Sequence, residues 1–137
     1  MKTTIIVLTI LLSTTIVKAE GLNSNASYIK KNYPTEYEQT LKKYALAEWE
    51  DDYSMVVYEI NKQADALVKL VDEFKSDNTS IAFKAIQEWS IDGYESKNIT
   101  LFKEMTTFEL KELLKMHCDW SMVKYEYDKQ VKAKNSF

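Results

Sequence analysis

Four carboxylates recur at matching positions in two segments of the chain and are the first candidates for chemistry. Asp52 and Glu59 lie in one segment, and Asp119 and Glu126 take the same places 67 residues later. If they converged, they could bind a metal ion or another small ligand, which is the alternative function that we keep open. Helical di-metal sites usually pair a Glu with a His three residues later, whereas the only histidine is His117. We therefore predict no metal site and no cofactor.

His117 and Cys118 are the other residues with catalytic potential. Adjacent residues of a helix point about 100° apart, so they cannot form a nucleophile and base pair there. Glycine-rich phosphate loops are missing, and every basic residue is a Lys, so the bidentate fork of Arg is lacking. We predict that the protein is not an enzyme. Because Cys118 is the single cysteine, we expect it to be buried, with pairing to another chain as the alternative.

The carboxylates belong to an internal repeat. Residues 52–66, DYSMVVYEINKQADA, match residues 119–133, DWSMVKYEYDKQVKA, at nine of fifteen positions. Wound as helices, the two segments carry their identical residues mostly on one side. We expect a pseudo-twofold axis that brings these sides together, as in an isologous dimer fused into one chain. The apolar centre of that contact would be Met55, Val56, Met122 and Val123.

The repeat also supplies the candidate binding residues. Tyr58 and Tyr125 stand at equivalent positions near the solvent boundary, where exposed aromatic side chains favour contact with another protein. Alternatively, both tyrosines lie along neighbouring helices and shield their apolar residues from solvent. The predicted binding residues are Asp52, Tyr58, Glu59, Lys62, Asp119, Tyr125, Glu126 and Lys129.

Helices must position these residues, because Gly21, Gly93 and Pro34 are the only Gly and Pro residues. Pro34 followed by Thr35 and Glu38 predicts a helix start with a capping box. The apolar stripe from Tyr53 to Phe74 changes register relative to the residues before it, so we expect a kink over 45–52 and an end near residue 75.

Two further helices follow in the predicted order. A short one covers about 79–91 and stops before Gly93. A long final helix starts with a capping box of Thr106 and Glu109 and continues to about Lys132. The predicted fold is all-α, an antiparallel bundle of three to four helices in which the two long ones are the repeat copies.

The start of the chain has the features of a secretory signal. Lys2 precedes an apolar core over 5–17, and Ala19 ends a small-residue cleavage site. We predict a signal peptide over 1–19, a flexible segment over 20–33 and one helical domain over 34–137. The protein is then secreted or periplasmic, with no membrane span after the signal is removed.

The charge balance limits the kinds of molecule that we expect as partners. Without Lys2 and Lys18 the chain keeps 16 Lys against 21 acidic residues, a net charge of −5. This acidity disfavours nucleic acid and anionic membranes, so we expect another protein as the partner and leave the oligomeric state open. Three glycosylation sequons, at Asn25, Asn78 and Asn98, are expected in loops or in the flexible start, and would be used only in a eukaryotic secretory pathway.

Overall fold

A computed structural model describes residues 21–74, 78–91, 97, 100–101 and 109–137. These residues are mostly helical and contain no β-strand, apart from an isolated bridge between Ser90 and Cys118. The all-α prediction is confirmed for this part of the chain. The described helices include none that is both long enough and apolar enough to cross a membrane. The predicted signal peptide, residues 1–19, lies outside the described residues.

Helix α1, Ser24–Asn32, occupies most of the segment that we expected to be flexible. Asn23 caps it by accepting a hydrogen bond from the Ala26 N–H at 2.9 Å, and its amide donates to Asp65 at 3.0 Å. Ala26 and Ile29 are fully buried. The prediction of a flexible start is therefore wrong, because residues distant in sequence hold this helix in place.

Helix α2 comprises three consecutive segments, Pro34–Glu36, the π-helical Tyr37–Lys42 and the α-helical Lys43–Trp49. The predicted capping box is wrong, since Tyr33 is the N-cap residue and makes no side-chain capping bond. The helix ends before Glu50, whose φ of 52° lies in the left-handed region. The chain turns there, within the range predicted for a kink.

Helix α3 spans Tyr53–Glu73 and ends close to the predicted position. Most of its apolar stripe is buried, but Tyr53 is 68% exposed. Helix α4 spans Thr79–Glu88, inside the range predicted for the short helix. The sequons at Asn25 and Asn78 flank or enter helices α1 and α4, whereas Asn98 lies outside the described residues.

The predicted long final helix is two helices. Helix α5 covers Leu110–Leu114, and helix α6 begins at Trp120 and covers Trp120–Asn135. Asp119 caps α6 by accepting from the Met122 N–H. The prediction of a single helix is therefore wrong, although the predicted apolar stripe is buried on both sides of the break. The proposed cap at Thr106 lies outside the described residues.

Helix α6 packs between α3 and α4. Its contacts with α3 advance in the same direction along both helices, from Trp120 beside Gln63 to Tyr127 beside Glu73. Helix α4 runs the opposite way, because Asn78 meets the end of α6 and Trp89 meets its start. The two repeat helices are therefore parallel, and the short helix α4 runs antiparallel to α6.

The contacts between the repeat helices also contradict a pseudo-twofold axis. Such an axis requires each contact to be reciprocated. Gln63 donates to Asp119 at 2.8 Å, but the reciprocal pair, Gln130 and Asp52, consists of two exposed residues. The amide of Gln130 donates to Glu126 instead. The start of α6 lies two helical turns beyond Val56 along α3. Met55 and Val56 are therefore at a different height along the helix pair from Met122 and Val123, and the predicted apolar centre of these four residues does not form.

Candidate functional site

The two aspartates of the repeat are helix caps. Asp52 and Asp119 each accept a hydrogen bond from the backbone N–H three residues later, and each also accepts one from the Ser two residues later, at 3.0 and 2.8 Å. An N-cap aspartate satisfies an N–H group that the helix leaves unpaired. The repeated Asp-x-Ser pattern therefore marks two helix starts, and the four repeated carboxylates do not converge on one site.

Each repeat copy also builds the same arrangement of Tyr, Glu and Lys one to two turns into its helix. Lys62 lies 3.3 Å from Glu59 and 5.7 Å from the centre of the Tyr58 ring. Lys129 has the same two distances to Glu126 and the Tyr125 ring. Both rings stay exposed, at 56% and 60%. The prediction of two equivalent tyrosines near solvent is confirmed.

The surroundings of the two glutamates differ. Glu59 is 4% exposed, and its carboxylate accepts hydrogen bonds from the Trp49 indole at 3.2 Å and from Gln63 at 2.8 Å. Glu126 is more open to solvent, and the hydrogen bond from Gln130 lowers its pKa, with Lys129 acting in the same direction. The first copy is therefore built into the core of the protein, and the second lies near its surface.

Gln63 is a buried connector that the sequence reasoning missed as a site residue. Its amide nitrogen donates to Glu59 and to Asp119, both at 2.8 Å, and its carbonyl oxygen accepts the backbone N–H of Trp120. Tyr44 donates to the other oxygen of Asp119 at 3.1 Å, and burial and the nearby carboxylates raise its pKa. This network joins α2, α3 and α6 and fixes Glu59. Gln63 was detectable as an identical position of the repeat.

An aromatic surface forms on the first repeat copy and has no counterpart on the second. It consists of Leu46, Trp49 and Tyr58 with Lys62, and the two aromatic rings are 36% and 56% exposed. One oxygen of Glu59 contacts both the Trp49 indole and the Lys62 ammonium, which links the parts of this surface. The position of the second copy that corresponds to Trp49 is Met116, which is fully buried. Sequence reasoning missed Trp49 because it precedes the repeat.

His117 and Cys118 occupy different environments. Cys118 is 4% exposed, its thiol points to the Ile86 carbonyl, and burial raises its pKa to about 12. The prediction that it is buried is confirmed. The pKa of His117 is lowered by its own partial burial and by Lys97 and Lys43. Among the described residues, no group of three or more His, Cys, Asp and Glu side chains is placed to hold a metal ion.

Comparisons with protein-family models, with curated proteins and with solved structures find no match for this chain. The site therefore has to be interpreted from its own residues.

Proposed function

We propose that the chain is a non-catalytic, exported helical module that binds another protein through the aromatic surface of Leu46, Trp49, Tyr58 and Lys62. The observation that carries this proposal is the exposure of Trp49 and Tyr58 beside a buried carboxylate that fixes their neighbours. Trp and Tyr are the side chains that most often dominate the energy of protein interfaces.

Two members of the aromatic surface, Trp49 and Lys62, are held in place before a partner arrives. Glu59 is itself fixed by Gln63, and it fixes the Trp49 ring edge and the Lys62 ammonium. A side chain that is already ordered loses less conformational entropy on binding, so more of the contact energy appears as affinity. This organisation supports a binding role over simple amphipathic cover.

The charge of the chain indicates the kind of partner. Without Lys2 and Lys18 of the proposed signal the net charge is −5, and a partner with a basic surface would be attracted to it over a distance set by the ionic strength. Export is proposed on the basis of the signal features at residues 1–19. Sequencing of the N-terminus of the protein from its native compartment should then find Glu20 first, and retention of Met1 would contradict export with cleavage.

Capture experiments with matched variants test the binding surface. Tagged wild-type protein, Tyr58→Ala and Tyr125→Ala are incubated under gentle conditions with material from the native compartment, and the captured partner is quantified. The two tyrosines have the same Lys and Glu neighbours, but only Tyr58 belongs to the aromatic surface. We expect Tyr58→Ala to weaken capture at least about tenfold, as for an interface hot spot.

Tyr125→Ala is expected to retain the partner. Equal loss by both variants, or loss by Tyr125→Ala alone, would refute this surface. Failure of the wild-type protein to retain any partner would refute the binding role itself.

A further inference from the structure

A cleft beside helix α2 lies apart from the aromatic surface and from the repeat. Two adjoining cavities, of about 110 and 180 Å³, share Gln39, Thr40 and His117 as lining residues. Each is smaller than the roughly 300–1,000 Å³ of pockets for drug-sized ligands. A ligand that fits either cavity is therefore an ion or a molecule of a few heavy atoms.

The cleft is cationic although the chain is acidic. Lys43 lines the smaller cavity, and Lys97 and Lys115 line the larger one. Among the described residues, Glu36 is the one acidic residue that lines either of them. Lys115 is paired with Glu112 at 3.7 Å, so Lys43 and Lys97 supply most of the positive charge near the imidazole. The ammonium groups of Lys43 and Lys97 therefore favour an anion near the imidazole.

The wall of the cleft contains an unusual piece of backbone. Gln39 and Thr40 belong to the π-helical segment Tyr37–Lys42. The Thr40 hydroxyl donates to the Glu36 carbonyl at 2.6 Å, a side-chain bond that competes with the regular helical pattern. Wide π turns are rare and are frequently found at functional sites. The Gln39 amide adds an N–H donor to the charged groups of the same wall.

We propose that this cleft binds a small oxyanion, a phosphate or a short carboxylate, between Lys43, Lys97 and the imidazole of His117. The ammonium groups attract the anion, and protonated His117 donates a charge-assisted hydrogen bond to it. In the described part of the chain, the lining side chains that titrate or carry charge are Glu36, Lys43 and Tyr44 of α2, then Lys97, Lys115 and His117. An anion between the two lysines would oppose their effect on His117, so binding and protonation of His117 should favour each other.

Nuclear magnetic resonance of the imidazole tests the site without ambiguity, because His117 is the only histidine. The folded protein is titrated with acid in sodium chloride, in inorganic phosphate and in acetate at equal ionic strength. We expect the pKa of His117 to rise by about one unit in at least one of the two oxyanions, which equals tenfold tighter binding to the protonated form. The phosphate and acetate arms show which oxyanion the site takes.

Three lysine variants complete the test. Lys43→Gln and Lys97→Gln should each weaken binding of the effective oxyanion about tenfold, which is the effect of losing one charged contact. Lys84→Gln is the control, because this exposed lysine of α4 lines neither cavity. A response to phosphate and acetate no larger than to chloride would overturn the proposal, and this result needs only the wild-type protein. Unchanged binding in Lys43→Gln and Lys97→Gln, or equal loss in all three variants, would overturn it as well.

Discussion

Replacing Gln63 with Leu should destabilise the protein more than any other single change in the polar network. The side chain is 1% exposed and makes three hydrogen bonds, of which those with Asp119 and Trp120 join α3 to the start of α6. Leu occupies a similar volume but offers neither donor nor acceptor. The variant therefore isolates the hydrogen bonds from the packing.

The size of the effect follows from the groups that would lose a partner. The backbone N–H of Trp120 would be left buried without its acceptor, at a cost of about 1–3 kcal/mol. Glu59 and Asp119 would each lose one donor but keep others, Trp49 and Lys62 for the first and Tyr44 and Ser121 for the second. We add about 1 kcal/mol for each carboxylate and expect a total loss of about 3–5 kcal/mol.

Urea unfolding measures this loss, followed by circular dichroism and by tryptophan fluorescence together. The repeat supplies the matched control, since Gln130 has the same position in the second copy, is exposed and donates to Glu126. Gln130→Leu should change the free energy of unfolding by no more than about 0.5 kcal/mol. If the two variants differ by less than about 1 kcal/mol, the role assigned to Gln63 is wrong.

Three further predictions concern single residues. Cys118, with its pKa of about 12, should react at pH 8 with a thiol reagent roughly a thousandfold more slowly in the folded than in the unfolded protein, and comparable rates would contradict its burial. Asp52→Ala should lower the free energy of unfolding by about 1 kcal/mol, because the helix loses its cap. Asp119→Ala should lower it by about 3 kcal/mol, because Asp119 also accepts hydrogen bonds from Tyr44 and Gln63. Equal losses in urea unfolding would be evidence against the network. The pKa of His117 is lowered in the folded protein, so below the ordinary histidine pKa of about 6.5 the unfolded chain binds more protons than the folded one. The free energy of unfolding therefore falls as the pH drops through that value. His117→Gln should show a smaller fall between about pH 7.5 and pH 5.5, and an identical fall would refute the assignment.

Local patterns in the sequence predicted the helices well where apolar spacing is regular. The stripe of α3, the short helix α4 and the buried side of α6 follow from three- and four-residue spacing alone. The break before α6 was missed, although the sequence carries the signal for it. Asp119 matches Asp52, and Asp52 starts a helix, so the repeat itself marks a second helix start at residue 119.

Features that depend on distant contacts were not predictable in this way. Helix α1 is held by Asn61 and Asp65 of α3, and no periodicity within its own nine residues indicates that contact. The parallel direction of α3 and α6 depends on the path of the chain between them. The aromatic surface needs the side chains of two helices that meet only in the folded protein.

Similar local sequence also produced different exposure in the two repeat copies. Tyr53 is exposed, whereas its counterpart Trp120 is fully buried between helices. A sequence repeat predicts that the two copies have the same backbone conformation and the same local contacts. The two aspartate caps and the two Lys–Glu pairs confirm this. It does not determine which side of each copy is covered, because that depends on the neighbouring helices.

Site-specific photo-crosslinking is the most direct test of the proposed binding surface. A photoreactive phenylalanine analogue is placed at Tyr58 in one protein and at Tyr125 in another, and both are irradiated in the native compartment. These positions have similar exposure and the same Lys and Glu neighbours. We expect one discrete protein adduct from position 58 and none from position 125. An adduct from position 125 alone, or the same adduct from both positions, would contradict the assignment of the aromatic surface as the binding site.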